Sequence, residues 1–236
     1  MSQTTAQSVQ ALFDRIAPVY DALNQTLSLG QHKIWKQMAV KWCDLQLGDR
    51  TLDICCGSGD VAMMLAEKVG PQGSVCGLDF AAQQLNVAAA RQRQAMNPQT
   101  TAPIDWIQGD ALSLPFAADT FDGVTMSYGL RNVTDTSQAL REIHRVLKPG
   151  AKAAILDMHR PENPLMRQFQ QWYLDCVVVP AASRQGLTDE YAYIAPSLAR
   201  FPVGREQEAM ARAVGYRIAV HYPIAQDTMG VLVLTK

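Results

Sequence analysis

A chain of 236 residues, 48% hydrophobic and 18% charged, has the composition of a globular protein with a sizeable core. A formal net charge of -1 argues against nucleic-acid binding through bulk electrostatics. Five cysteines (Cys43, Cys55, Cys56, Cys76 and Cys176) are an odd number without C-x-x-C spacing. Neither a disulfide framework nor a bound metal is expected, and a reducing, cytoplasmic setting is.

No basic segment followed by an apolar core opens the chain, so no secretory leader is expected. Residues 9–43 carry aromatic and aliphatic positions at helical spacing, punctuated by Pro18 and Gly30. Next comes Leu52-Asp53-Ile54-Cys55-Cys56-Gly57-Ser58-Gly59-Asp60, an apolar run, a glycine turn and the start of a helix over 60–68. A second apolar run, 74–79, ends on Asp79, and 81–94 is rich in helix formers. Strands are predicted at 104–108 and 121–126, and a helix at 137–147 stopped by Lys148-Pro149-Gly150. A strand at 153–157, an irregular or helical stretch over 161–202 and a helix at 206–214 follow. Residues 172–182 form the nearest approach to a membrane span, but Asp175 and Pro180 interrupt them. Strands at 216–222 and 228–234 are close enough to form an antiparallel hairpin.

Alternating strands and helices predict an α/β fold with a parallel sheet covered on both faces. The closing hairpin departs from a simple dinucleotide-binding fold. The expected organisation is one structural unit: an N-terminal helical lid, 1–48, and a domain, 49–236, with a substrate-side insert at 161–203. Lid and insert should lie over the C-terminal ends of the strands, where open α/β sheets bind ligands.

The glycine turn lacks the third glycine of a pyrophosphate fingerprint, Met63 standing in its place. Asp60 at the helix start suits a cationic or zwitterionic ligand better than a pyrophosphate. S-adenosylmethionine, with an ammonium, a sulfonium and a ribose, is such a ligand. Asp79 at a strand tip is placed to accept from a ribose, a role that coexists with capping the helix after it. Asp110 with Ala111 can hold an adenine, or Asp110 is a surface turn residue. Ser127 is placed for the methionine part. Arg131 and Asn132 point by position toward the transferring methyl, with a salt-bridged surface arginine equally weighted. Tyr20, Asp53, Gly57, Ser58 and Gly59 complete the candidate cofactor set.

Four blocks resemble the ubiquinone/menaquinone biosynthesis C-methyltransferases, the UbiE/MenG family. They are Phe13 to Asp21 with Leu29 to Lys36, Leu52 to Asp60, Gly129 to Asp135, and Arg141 to Gly150. The resemblance implies a class I S-adenosylmethionine-dependent methyltransferase fold, Rossmann-like and seven-stranded. It places family cofactor contacts on Ser58, Asp79, Asp110 with Ala111, and Ser127. Tyr193 to Ser197, Phe201 to Glu208, His221 to Ala225 and Met229 to Val233 look like the phylloquinone branch, which methylates demethylphylloquinone. Demethylmenaquinol and a ubiquinone precursor are the alternative acceptors.

An oxidised naphthoquinone ring is electrophilic, so a prenylated naphthoquinol is the expected substrate, and a quinone reductase must act upstream. Arg131 would stabilise the quinolate and hold a water with Asn132. His32 is the candidate base, although a capping or core role is weighted above it. Met166, Phe169, Trp172, Tyr173 and Val177 to Val179 are candidates to line a tail channel, and equally to be ordinary core or a surface that touches a membrane peripherally. A homodimer is allowed. The rival readings are a small-molecule O-methyltransferase, a nicotinamide oxidoreductase and a non-catalytic binding subunit.

Overall fold

The computed structural model describes Ser28, residues 30–184 and residues 186–236. Tyr20, the block Phe13 to Asp21 and most of the expected lid lie outside the described residues.

Helix α1, Gln31–Trp42, precedes strand β1, Arg50–Ile54. Helix α2, Asp60–Val69, strand β2, Ser74–Asp79, helix α3, Ala82–Ala95, and strand β3, Ile104–Gln108, follow. Strand β4, Phe121–Ser127, leads through a 3₁₀ turn, Leu130–Asn132, to helix α4, Thr136–Val146, and strand β5, Leu147–Met158. Beyond helix α5, Pro164–Tyr173, come a π turn, Leu174–Val178, and short helices α6, Val179–Ser183, α7, Thr188–Ala192, and α8, Ile194–Arg200. Helix α9, Gly204–Val214, and strands β6, Ile218–Ile224, and β7, Met229–Thr235, close the chain.

The seven strands form one sheet in the order β3-β2-β1-β4-β5-β7-β6. The first five are parallel, and β7 runs antiparallel to both β5 and β6. Strands β1 and β2 are buried nearly end to end, as a parallel sheet covered on both faces requires. On one face Leu140, Ile143 and Val146 of α4 pack against Leu52, Ile54 and Met126. On the other, Val61, Leu65 and Val69 of α2 and Ala39 and Val40 of α1 cover Val75, Ala154 and Leu156. The chain reverses direction in strand order between β1 and β4, so the ends of those strands open a crevice.

Two sequence expectations need correction, and a third, left open between irregular and helical, is decided. Lys148-Pro149-Gly150 does not separate helix from strand: β5 begins at Leu147, and these residues bulge out of register. Pro149 has no N–H for the ladder, and Gly150, at φ 80°, turns to donate its N–H to Lys236 O at 3.1 Å. Tyr216 lies in the C-terminal cap that follows α9 rather than in β6, which starts at Ile218. Its N–H closes on Ala211 O past the left-handed Gly215, and its hydroxyl donates to Leu140 O at 3.0 Å. The stretch over 161–202 is mostly helical, with its own core of Leu174, Val178, Ala182, Leu187, Tyr191 and Leu198. Its π turn sits where Pro180 lacks the N–H that would bond to the carbonyl of Cys176.

Candidate active site

The turn after β1 needs left-handed backbone at three positions: Cys55 (φ 56°), Gly57 (φ 53°) and Gly59 (φ 88°). Gly59 is obligatory for a second reason. A Cβ there would meet the Trp106 ring at 2.6 Å, as one on Gly77 would at 2.5 Å. The indole occupies the room that the two glycines leave, and its N–H donates to Gln92 Oε1 at 2.7 Å. This packing fixes the turn against β2 and exposes it to a cavity.

Asp79 closes the turn from the next strand. Its Oδ2 accepts from Gly57 N at 2.8 Å and its Oδ1 from Ala81 N at 2.9 Å. Capping and cavity-lining therefore coexist. Asp110, exposed, also has two roles: Oδ1 accepts from Leu112 N at 2.9 Å within a turn, and the residue lines the cavity beside Ala111. Gly57, Ser58 and Gly109 complete this side.

Asp53, 1% exposed, lies at the floor. It pairs in register with Thr125 of β4, whose hydroxyl donates to Asp53 Oδ1 at 2.8 Å. Burial pushes its carboxyl up to about 7, against the opposing pull of Thr125 and Lys36. Among the described residues, Asp53 Oδ2, Ser127 Oγ and Asn132 Oδ1 are buried without a hydrogen-bond partner, and all three residues line this cavity. Orphaned buried acceptors around one cavity are the mark of a site completed by a ligand with donor groups. The set fits S-adenosylmethionine: an acidic, acceptor-lined floor for the ammonium, Asp79 for the ribose, and Asp110 with Ala111 for the adenine.

Asp60 does not play the expected part. Burial would raise its pKa, but Lys36 at 2.8 Å and Arg91 at 2.5 Å hold it down to about 2. Its charge is consumed by those partners, so it is no acceptor for a cationic ligand. Arg91 also donates to Ser58 O at 2.8 Å and to Ser58 Oγ at 2.9 Å, which leaves the hydroxyl tied to the protein.

Arg131 is likewise misplaced by the sequence reading. Its guanidinium donates to Asp157 Oδ1 at 2.6 Å and to Tyr128 O at 3.0 Å, and it is absent from the cavity wall. The pair is buried, the side chains 9% and 5% exposed, so it is neither a surface bridge nor a cation aimed at the methyl. Its effect is to fasten the β4 exit loop to the end of β5. Asn132, whose Nδ2 donates to Tyr128 O at 3.0 Å, does face the cavity.

A second, largely apolar cavity adjoins the first. Tyr128, at φ 61°, lines both and forms the partition. Its walls include His32, Trp35, Met158, Phe169, Tyr173 and Val178. His32 is buried in α1, with Ser28 Oγ 2.8 Å from its Nδ1. Trp172, a candidate for the channel, the core or an exposed membrane-touching surface, is 54% exposed and is not in the cavity wall.

Sequence reasoning missed Thr125 and Lys36. Thr125 lies directly across the β1–β4 ladder from Asp53, and such pairing is invisible without strand order. Lys36 had a signal: it stands four residues after His32, on the same buried face of α1.

The ubiE/COQ5 methyltransferase family matches residues 1–235 of the chain. A Nostoc sp. protein named 2-phytyl-1,4-naphtoquinone methyltransferase is 58% identical over 228 residues, 97% of this chain and 98% of its own. A Synechocystis sp. protein of the same name is 56% identical, covering 100% and 98%. A chloroplastic 2-phytyl-1,4-beta-naphthoquinone methyltransferase of Arabidopsis thaliana is 50% identical, covering 95% and 86%. Among solved structures, a SAM-dependent methyltransferase from Aquifex aeolicus superposes at TM-score 0.65 with 16% identity, covering 91% of this chain and 97% of its own. One from Thermotoga maritima, titled a possible histamine N-methyltransferase, also gives 0.65, with 19% identity and coverages of 96% and 99%. At such identities these two share the fold.

Proposed function

The chain belongs to the ubiE/COQ5 methyltransferase family, and from that premise we propose that it methylates a ring carbon of 2-phytyl-1,4-naphthoquinol, the reduced demethylphylloquinone. It is an S-adenosylmethionine-dependent methyltransferase. The observation that carries the acceptor's chemistry is the pair of cavities meeting at Tyr128, one lined by the carboxylates of Asp53, Asp60, Asp79 and Asp110, the other by aromatic rings with no carboxylate among its described residues. The names of relatives 50–58% identical to this chain supply the phytyl-naphthoquinone ring system.

Bound S-adenosylmethionine supplies a methyl already activated by a sulfonium. The protein's work is alignment and charge control. Asp53 and Ser127 hold the donor's amino-acid end, while Asp79 and Asp110 hold its nucleoside. Tyr128 and Asn132 sit where the two cavities meet, so they set the approach of the ring carbon. Loss of the quinol hydroxyl proton enriches that carbon. His32 takes this proton on its imidazole, with Ser28 orienting the ring through Nδ1. Arg131 acts by holding the loop that carries Tyr128 and Asn132.

The tail leaves past Phe169 and Tyr173 of α5. Leu165, Phe169 and Trp172 recur along that helix and are 74%, 52% and 54% exposed. Phe169 belongs both to this stripe and to the cavity wall, so the stripe docks on the bilayer from which the lipid substrate enters. Among the described residues no helix is long and apolar enough to cross a membrane.

The test is incubation with S-adenosylmethionine and 2-phytyl-1,4-naphthoquinone, with and without a reductant, followed by mass identification of the product. Methylated product is expected with the reductant alone. Equal turnover of the oxidised quinone would overturn the quinol reading, and preference for a ubiquinone precursor would overturn the ring assignment.

A further inference from the structure

The donor cavity has a wall of the opposite character to its floor. Lys36, on α1, is 7% exposed and lines the cavity, its Nζ 2.8 Å from Asp60 Oδ2. The other oxygen of Asp60 is taken by Arg91. Asp60 therefore bridges Lys36 of α1 and Arg91 of α3. A buried ammonium is costly to leave with unmet donors. The ammonium of Lys36 has three N–H donors, of which Asp60 takes one.

Lys36 also lies close enough to Asp53 to pull its carboxyl downward against burial. Positive and negative subsites thus stand side by side, as they must for a ligand bearing an ammonium and a carboxylate on one carbon. Asp53 Oδ2, Ser127 Oγ and Asn132 Oδ1 accept; Lys36 donates.

We propose that Lys36 binds the α-carboxylate of the methionine part of the cofactor, which makes α1 part of the donor site. The inference rests on the cavity being the S-adenosylmethionine site. Asp60, whose sequence position suggested a cation acceptor, becomes the group that positions Lys36. Because α1 also carries His32, one helix then contributes to both cavities.

Decarboxylated S-adenosylmethionine lacks only the carboxylate and isolates this contact. Titration calorimetry of the unaltered protein should show S-adenosylmethionine binding about tenfold or more tightly than the decarboxylated form, as for a charge-assisted contact out of water. Lys36→Met should lose that factor for S-adenosylmethionine, bind the decarboxylated form as before and bring the ratio near one. Lys36→Arg should keep the preference. Equal weakening of both ligands by Lys36→Met would mean that Lys36 acts only through Asp60, and would overturn the proposal. So would a ratio near one in the unaltered protein, a measurement that needs no variant to fold. Binding of neither ligand would instead remove the reading of the cavity itself.

Discussion

Asp53 is a carboxylic acid with its midpoint at neutral pH, and that has a measurable consequence. A bound ammonium favours the ionised carboxylate, so ligand binding lowers the pKa and releases a proton wherever the empty site is protonated. The affinity should therefore be fully present above about pH 7 and fall as pH drops, by at most about tenfold per unit. Calorimetry between pH 7.5 and 5.5, in buffers of different ionisation enthalpy, reads both the slope and the proton. Asp53→Asn should weaken binding and flatten the profile; a flat profile in the unaltered protein would remove Asp53 from the ammonium site. For the base, His32→Gln should lower kcat about 100-fold while leaving the affinity for S-adenosylmethionine unchanged. Unchanged turnover would leave His32 a packing residue of α1. At this scale, legibility followed locality. Asp79 and Ser127 could be read because each ends a strand. The partners of Asp60 and Arg131 could not, because Lys36 precedes Asp60 by 24 residues and Asp157 follows Arg131 by 26.

The loop after β4 and the turn after β1 are the elements on which geometry depends. Arg131→Ala would leave Asp157 charged and buried without its partner, a loss of about 3–5 kcal/mol that thermal melting would detect. An Arg131→Met, Asp157→Leu double variant should recover most of that stability. Turnover in the recovered variant decides the role: wild-type kcat would show that loop anchoring was the whole contribution of Arg131. In the β1 turn, Gly59→Ala would force a Cβ into Trp106 at a left-handed position. A loss of at least about 1–3 kcal/mol is expected, with weaker cofactor binding. The sequence announced this turn because glycine is a direct statement about backbone. It announced the β5 bulge wrongly because Pro-Gly reads as a stop, and the pairing of Gly150 with Lys236 depends on strands not yet ordered.

Across the whole molecule, the alternation of strands and helices and the final hairpin were enough to read the sheet, since a parallel core needs buried strands at regular intervals. The helices over 164–200 were hard to read because their apolar residues serve two ends: some form a local core, and others face outward beside the tail cavity. Replacing Leu165, Phe169 and Trp172 together with Ser should reduce co-sedimentation with lipid vesicles. It should also slow turnover of vesicle-borne phytyl substrate several-fold, with little effect on a short-chain naphthoquinol in detergent; equal slowing of both would point to damage within the cavity. The π turn offers a means of watching this region work. It carries the exposed Cys176, whereas Cys43, Cys56 and Cys76 are buried and burial pushes the half-buried Cys55 thiol far up. A thiol-directed spin label or fluorophore should therefore settle at one position, beside the mouth of the tail cavity, and report in real time when lipid arrives.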